Sequence, residues 1–257
     1  MQIFVLALSR LVPISFLVSL TLVGSRYLHD LVLRNHPRLA KWAFATVSLI
    51  GLLATAPYAL RAGLIVAANW ATVEGRWQAA DLLLTEYDGW NGRRTEELLR
   101  QWAFVRMSAR NWAGAEEILR LAENPTPQAR ILLGICQYYQ GEPVAEATLR
   151  AVPDVTATQL CIRDYLLGRL AQKRGNVAEA FDLYARSAAW EPNFFPSIYH
   201  GVRLRMAQGD PAAAASILDA FTQQFPTQGT SPDALALRVM IRQRMVPPDK
   251  EFVIVSD

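Results

Sequence analysis

Residues that carry redox and metal chemistry are scarce in this chain: 257 residues include two cysteines and three histidines. Cys136 and Cys161 match no metal or redox spacing, and each lies in an apolar helical context. They read as buried free thiols, with a single disulfide as the other reading. His29, His36 and His200 complete no HExxH motif, and neither a GxSxG elbow nor a glycine-rich phosphate loop is present. His29 stands beside Asp30, but adjacency alone does not align an acid–base pair. The acids Glu116, Glu117, Glu146 and Glu179 are scattered as on solvated helix surfaces. No cofactor, metal or catalytic residue is expected, and the chain is not expected to be an enzyme in its own right.

Charge is also sparse. Charged residues make up 19% of the chain and hydrophobic ones 52%, against about 25% charged in an ordinary soluble domain. The net charge of +3 is unevenly placed. Residues 1–60 hold five cations (Arg10, Arg26, Arg34, Arg38, Lys41) and one acid (Asp30), so the remainder is slightly acidic. Basic charge beside apolar segments is a topology signal rather than a phosphate-binding face, and no nucleic-acid partner is expected.

Two long apolar runs stand at the amino end. Residues 3–24 are apolar except for Arg10 and small hydroxyl residues, with Pro13 as a kink point. Residues 42–60 carry no charge and have Trp42 and Tyr58 near their ends, where amphipathic rings suit a lipid interface. About twenty helical residues cross a hydrocarbon layer. A retained two-helix transmembrane hairpin in the bilayer is therefore expected over 1–60. Arg10 and Pro13, costly in lipid, are candidate contacts to a membrane partner. The basic connecting loop predicts an inner or cytoplasmic membrane location if the source is bacterial, with the loop in the cytoplasm and the following domain in the periplasm. Arg10, ahead of a shortened first span, and Arg61, just past the second, argue the other way.

After the anchor a pattern recurs. Gly175 returns as Gly209, Ala180 as Ala214, Tyr184 as Leu218 and Pro192 as Pro226, each 34 residues on. Weaker copies lie upstream: Gly75, Ala80 and Leu84; then Ala103, Ala115, Leu119 and Pro127, with Arg110 where a glycine should turn the chain; then Leu133, Gly134 and Gly141. Pro153 arrives early in that last copy, which predicts a shortened second helix. Small residues at this spacing let helices approach, and leucines and aromatics fill the gaps between them.

Period and pattern together resemble the tetratricopeptide repeat, in which each unit is an antiparallel helix pair. Residues 161–194 match through Leu167, Gly168, Gly175, Ala180, Tyr184 and Pro192, and residues 195–228 through Gly209, Ala214, Leu218 and Pro226. The departure is Val202, which follows Gly201 where a small residue is usual. The resemblance implies an all-α chain: four or five helix pairs over 61–245 with a capping helix at 231–245, and an extended tail over 246–257. Ser231, Pro232 and Asp233 suit the start of that cap.

The resemblance also implies a binding face on the first helices. Tyr165 and Arg169 recur as Tyr199 and Arg203, four residues apart within each helix. Arg100, Phe104 and Tyr138 continue the series upstream. Tyrosine area and an arginine fork suit a peptide with aromatic or acidic groups; plain packing with solvated arginines is the other reading. The carboxylate-clamp members of the family use lysine and asparagine instead. His200 reads either as part of that face or as a hydrogen-bonded structural residue. Trp102, Trp112 and Trp190 read as core, and Trp70 and Trp77 as core or membrane-surface contacts. The tail EFVIV reads as a partner-binding segment, as a strap packed on its own chain, or as disordered. The partners implied are a membrane protein complex, a soluble protein or peptide, and the bilayer. The function implied is an adaptor or accessory subunit, or else an integral structural subunit of a membrane enzyme complex.

Overall fold

The computed structural model describes residues 37–91, 94–153 and 156–255. The span expected at 3–24, with Arg10 and Pro13, lies outside them, as does His29. All described regular structure is helical, and it divides into two compact units between Arg93 and Arg94.

The first unit is α1 (Pro37–Val73) packed against α2 (Trp77–Asn91). The span expected to end near residue 60 continues without a break, through Pro57, to Val73. Its apolar stretch Ser48–Val73 covers 26 residues at a mean hydropathy of 1.7, a rise of about 39 Å. Among the described residues it is the one helix long and apolar enough to cross a membrane. Leu49, Ile50, Leu52, Leu60, Val66 and Trp70 on it are exposed, while Ala68 and Ala71 are buried, as are Ala80, Leu84 and Tyr87 on α2. One helix thus runs from the apolar stretch into a helix pair.

The second unit contains α3 (Glu96–Ser108), α4 (Trp112–Arg120), α5 (Pro127–Gln140), α6 (Ala145–Arg150), α7 (Ala157–Lys173), α8 (Val177–Trp190), α9 (Phe195–Ala207), α10 (Pro211–Gln224), α11 (Pro226–Gly229) and α12 (Pro232–Arg242). Each of α3/α4, α5/α6, α7/α8 and α9/α10 is a helix pair, and consecutive helices pack on one another through the series. The starts are written locally. Thr95, Asn111, Thr126, Asn176, Asp210 and Ser231 each cap a first-turn amide, and Thr156 forms a capping box with Gln159. Helix α6 stops at Arg150, ahead of Pro153, and is the short member of its pair.

The repeat is also visible in the backbone. Residues with positive φ occur at Gly75, Arg110, Gly141, Gly175, Gly209 and Arg244, 31 to 35 residues apart. Each stands where a helix has just ended and the chain reverses or leaves. Arg110, at φ 59°, occupies the left-handed turn without glycine's freedom. Arg110→Gly is expected to raise stability by about 0.5–1 kcal/mol, the relieved strain outweighing glycine's entropy. Urea denaturation of both chains checks this, and a destabilised variant would show that the side chain has a role there.

Packing explains the small residues. A Cβ on Gly168 would lie 2.7 Å from Tyr184 Cε1, and one on Gly134 would lie 2.5 Å from Leu149 Cδ2. Both glycines face the second helix of their own pair. Ala103, Ala115, Ala145, Ala180 and Ala214 are fully buried. Val202, the larger residue at the equivalent position, is fully buried in the cluster of Tyr199, Met206, Leu218 and Leu237, whereas a Cβ on Gly201 would meet nothing within 4 Å.

Candidate functional site

The first helices α5, α7 and α9 lie side by side, and an extended segment of the chain's own C-terminal end crosses them. After α12 the chain reverses and runs as Pro247–Val255 without regular structure. Arg203 Nε on α9 donates to Pro247 O at 3.1 Å, and Tyr199 Oη donates to Pro248 O at 2.9 Å. On α7, Arg169 forks: Nη1 meets Asp249 Oδ1 and Nη2 meets Glu251 Oε2, both at 2.6 Å. Tyr138 on α5 donates to the other oxygen of Glu251 at 2.7 Å. Tyr139 Oη donates to Phe252 O and accepts from Ile254 N, each at 2.7 Å.

The side chains of this segment alternate as in a strand. Asp249 and Glu251 face Arg169, while Lys250 pairs with Asp233 at 2.7 Å. Phe252 then enters an aromatic nest, edge-on to Tyr199, Phe195 and His200 at centroid distances of 5.3–6.4 Å. It packs against the buried cluster of the last repeat. Lys250 Nζ also sits 4.9 Å from the Phe252 ring.

Arg169 is the electrostatic centre, with its side chain 2% exposed against 47% for Asp249 and 41% for Glu251. Burial alone would favour losing its proton, but hydrogen bonds to Asp249 and Tyr138 and the Glu251 charge raise its pKa instead. Burial pushes the Asp249 carboxyl up, yet the Arg169 hydrogen bond and charge hold it below its ordinary value. His200, fully buried, lies 3.1 Å from Arg169 Nη1 through Nδ1 and stacks on Tyr184 at 5.4 Å. Burial, together with the nearby Arg169 charge, brings its pKa down to about 3, so the ring stays neutral. Burial likewise raises the Tyr139 phenol to about 12.

Of the residues expected on the binding face, Tyr138, Arg169, Tyr199 and Arg203 are brought to one line and contact the segment. Tyr165 is not on it. It is fully buried between Tyr184, Phe194 and His200, and its hydroxyl makes no hydrogen bond. Four residues advance a helix by about 400°, so Arg169 is turned some 40° from Tyr165. That offset separates core from groove. Arg100 lies off the line, bonded to Gln128 at 2.9 Å and ion-paired with Glu97. Phe104 is half-buried on the same helix.

Residues not singled out as groove residues also matter. Tyr139 bonds the segment and is stacked on Trp112 at 4.3 Å, and Asp233 holds Lys250 besides standing in the first turn of α12. Trp102 is buried as expected, but Trp190 is 43% exposed, its indole donating to Asp164 at 3.2 Å. Cys136 and Cys161 are buried and unbonded to each other. Burial raises their pKa to about 12 and about 11, which removes thiolate reactivity at neutral pH. Among the described residues no cluster of three or more His, Cys, Asp or Glu is placed to hold a metal ion.

Fold and site together define the class: an all-α array of antiparallel helix pairs, like tetratricopeptide repeats, whose first helices α5, α7 and α9 carry a line of side chains bonded to the chain's own segment Pro247–Val255. No protein-family model matches the sequence, and no curated protein does. Among solved structures, the chain is similar to the crystal structure of MamA protein, with a TM-score of 0.53 and 15% identity over 67% of this chain and 96% of that one. At that identity the likeness shows the fold alone.

Proposed function

We propose that this chain is a membrane-anchored adaptor or accessory subunit that holds or helps assemble a membrane-associated protein complex through its helical repeats. The observation that carries this reading is the line of donors on α5, α7 and α9. Tyr138, Tyr139, Arg169, Tyr199 and Arg203 hold an extended peptide by both backbone and side chain. Repeat arrays expose such faces to other proteins. The anchor is the run at 3–24 together with the part of the apolar α1 up to residue 60, as a hairpin over 1–60 in an inner or cytoplasmic membrane, with the repeats on the periplasmic side if the source is bacterial. Confinement to the bilayer surface raises the effective concentration of a partner bound to the same membrane.

A second reading is favoured by the exposed apolar flank of α1, from Leu49 to Trp70. It makes the chain a structural subunit of a membrane enzyme complex, held chiefly through its transmembrane helices, with Arg10 and Pro13 at the contact.

Gentle detergent extraction and crosslinking, followed by identification of the captured protein, separates the two. For the adaptor, Arg203→Ala together with Tyr199→Phe is expected to reduce capture about tenfold with helicity unchanged. Undiminished capture through those variants, with crosslinks confined to residues 1–73, would move the binding to the membrane helices. Tyr165→Ala is no test, because it hollows the core.

A further inference from the structure

The helices of the second unit bury a cation that they do not neutralise. Both ion pairs of Arg169 are made with Asp249 and Glu251 of the C-terminal segment. Its contacts to the helices are to neutral groups, Tyr138 Oη at 3.4 Å and the His200 ring. A guanidinium does not shed its proton in a protein. Covered by an apolar occupant, it would be a buried unpaired charge, which is strongly unfavourable. The groove therefore demands carboxylates from whatever lies in it.

Its other contacts make a general demand and a specific one. Arg203, Tyr199 and Tyr139 engage backbone carbonyls and one amide, which any extended chain supplies. The aromatic nest of Phe195, Tyr199 and His200 receives a ring, here Phe252. The recognised pattern is thus two carboxylates with one residue between them, followed directly by an aromatic side chain, in an extended backbone.

The segment that fills this pattern is tethered by a few residues beyond α12, where Met245 and Val246 are exposed. Its acidic side chains are also nearly half open to water. We infer that the C-terminal segment is a cis occupant of the groove, and that the partner it yields to is an extended segment of another protein with the same pattern of acid, any residue, acid, aromatic. This rests on the adaptor reading of the groove and supplies its partner's chemistry. A tethered segment faces its site at millimolar effective concentration. An isolated competitor is therefore held off until the membrane, or a second contact, concentrates it.

The test uses the full-length chain and a fluorescein-labelled synthetic peptide of residues 246–255, VPPDKEFVIV. In the variant Asp249→Lys with Glu251→Lys, two lysines confront Arg169 and the tail leaves the groove. That variant is expected to bind the peptide at least about tenfold more tightly than the wild type, since occupancy in cis lowers the open fraction. Adding Arg169→Ala should abolish the binding, as should a peptide carrying Asn and Gln for its Asp and Glu. Phe252→Ala, which withdraws the aromatic anchor and leaves every charge in place, is the independent way to open the groove and should show the same gain.

Equal peptide binding by the wild type and both variants overturns the inference, as does no binding by a folded variant. Wild-type dimers in light scattering that disappear with Asp249→Lys and Glu251→Lys would assign the groove to a second copy and overturn the foreign partner. No membrane is needed, so the outcomes are separable. A peptide-binding opened chain without any crosslinked partner sinks the adaptor reading alone, whereas a captured partner without peptide binding sinks the inference alone.

Discussion

Replacing Asp249 and Glu251 together by alanine is expected to lower the free energy of unfolding by about 3 kcal/mol, more than Arg169→Ala lowers it. The asymmetry follows from who is buried. The guanidinium is 2% exposed, and the two carboxylates are 47% and 41% exposed. Deleting the acids strands a charge under the tail, and the chain escapes that cost only by peeling the tail away. It then loses the Phe252 packing and the backbone bonds of Tyr139, Tyr199 and Arg203. Deleting the arginine instead leaves two carboxylates that water already reaches, at a cost of about 1–2 kcal/mol. Urea denaturation gives the ranking. Trypsin gives the mechanism, because Arg242, Arg244 and Lys250 should become cleavable in the double variant while circular dichroism stays helical. Equal losses from the two variants would show that the ion pairs do not organise the tail.

Acid sensitivity centred on His200 is the second large effect. Its folded pKa, about 3, lies below the ordinary 6.5. The unfolded chain therefore takes up a proton that the folded chain refuses throughout that window. Stability from the neutral ring is complete above about pH 6.5 and declines as the pH falls towards 3, at up to about 1.4 kcal/mol per pH unit. The groups facing the ring explain the direction. Burial comes first, then the charges of Arg169 and Arg203, opposed by Asp249, with Tyr165, Tyr184 and Tyr199 as neutral neighbours. Asp249, whose folded pKa is lowered, adds loss of the same sign further down, as pH falls through that value. His200→Gln is expected to flatten the stability curve between pH 6.5 and 4, even at some loss of absolute stability at neutral pH. An unchanged slope in that variant would place the acid sensitivity elsewhere.

Both predictions concern a place where helix spacing meets tertiary arrangement. The pair Tyr165 and Arg169 illustrates the boundary. A four-residue spacing puts two side chains on one face, but a face is wide, and its edge separates a fully buried ring from a groove arginine. The pair Tyr199 and Arg203 shares the spacing and keeps both members on the groove, because Tyr199 there turns its hydroxyl to Pro248. Trp190 shows the same limit. Its position at the end of α8 suggested core, yet nothing packs over it fully, and it remains 43% exposed. Arg110 shows the converse. A residue that breaks the glycine rule still adopts the left-handed turn, because the hydrogen bonds of the helix end impose it.

By itself, the sequence determined the helix pairs, their period, the shortened α6 before Pro153 and an apolar helix near the amino end, but not that this helix runs on to Val73 as a member of the first pair. These are local or recur at fixed intervals: a cap, a turn glycine and a small residue against a large one act within or between adjacent helices, so their spacing carries the geometry. Only the tertiary structure decided that Pro247–Val255 returns to lie across α5, α7 and α9, and that its two acids neutralise Arg169. An extended segment has no period linking it to a distant helix, and the match of carboxylates to a guanidinium exists only once four separate stretches of chain share one space.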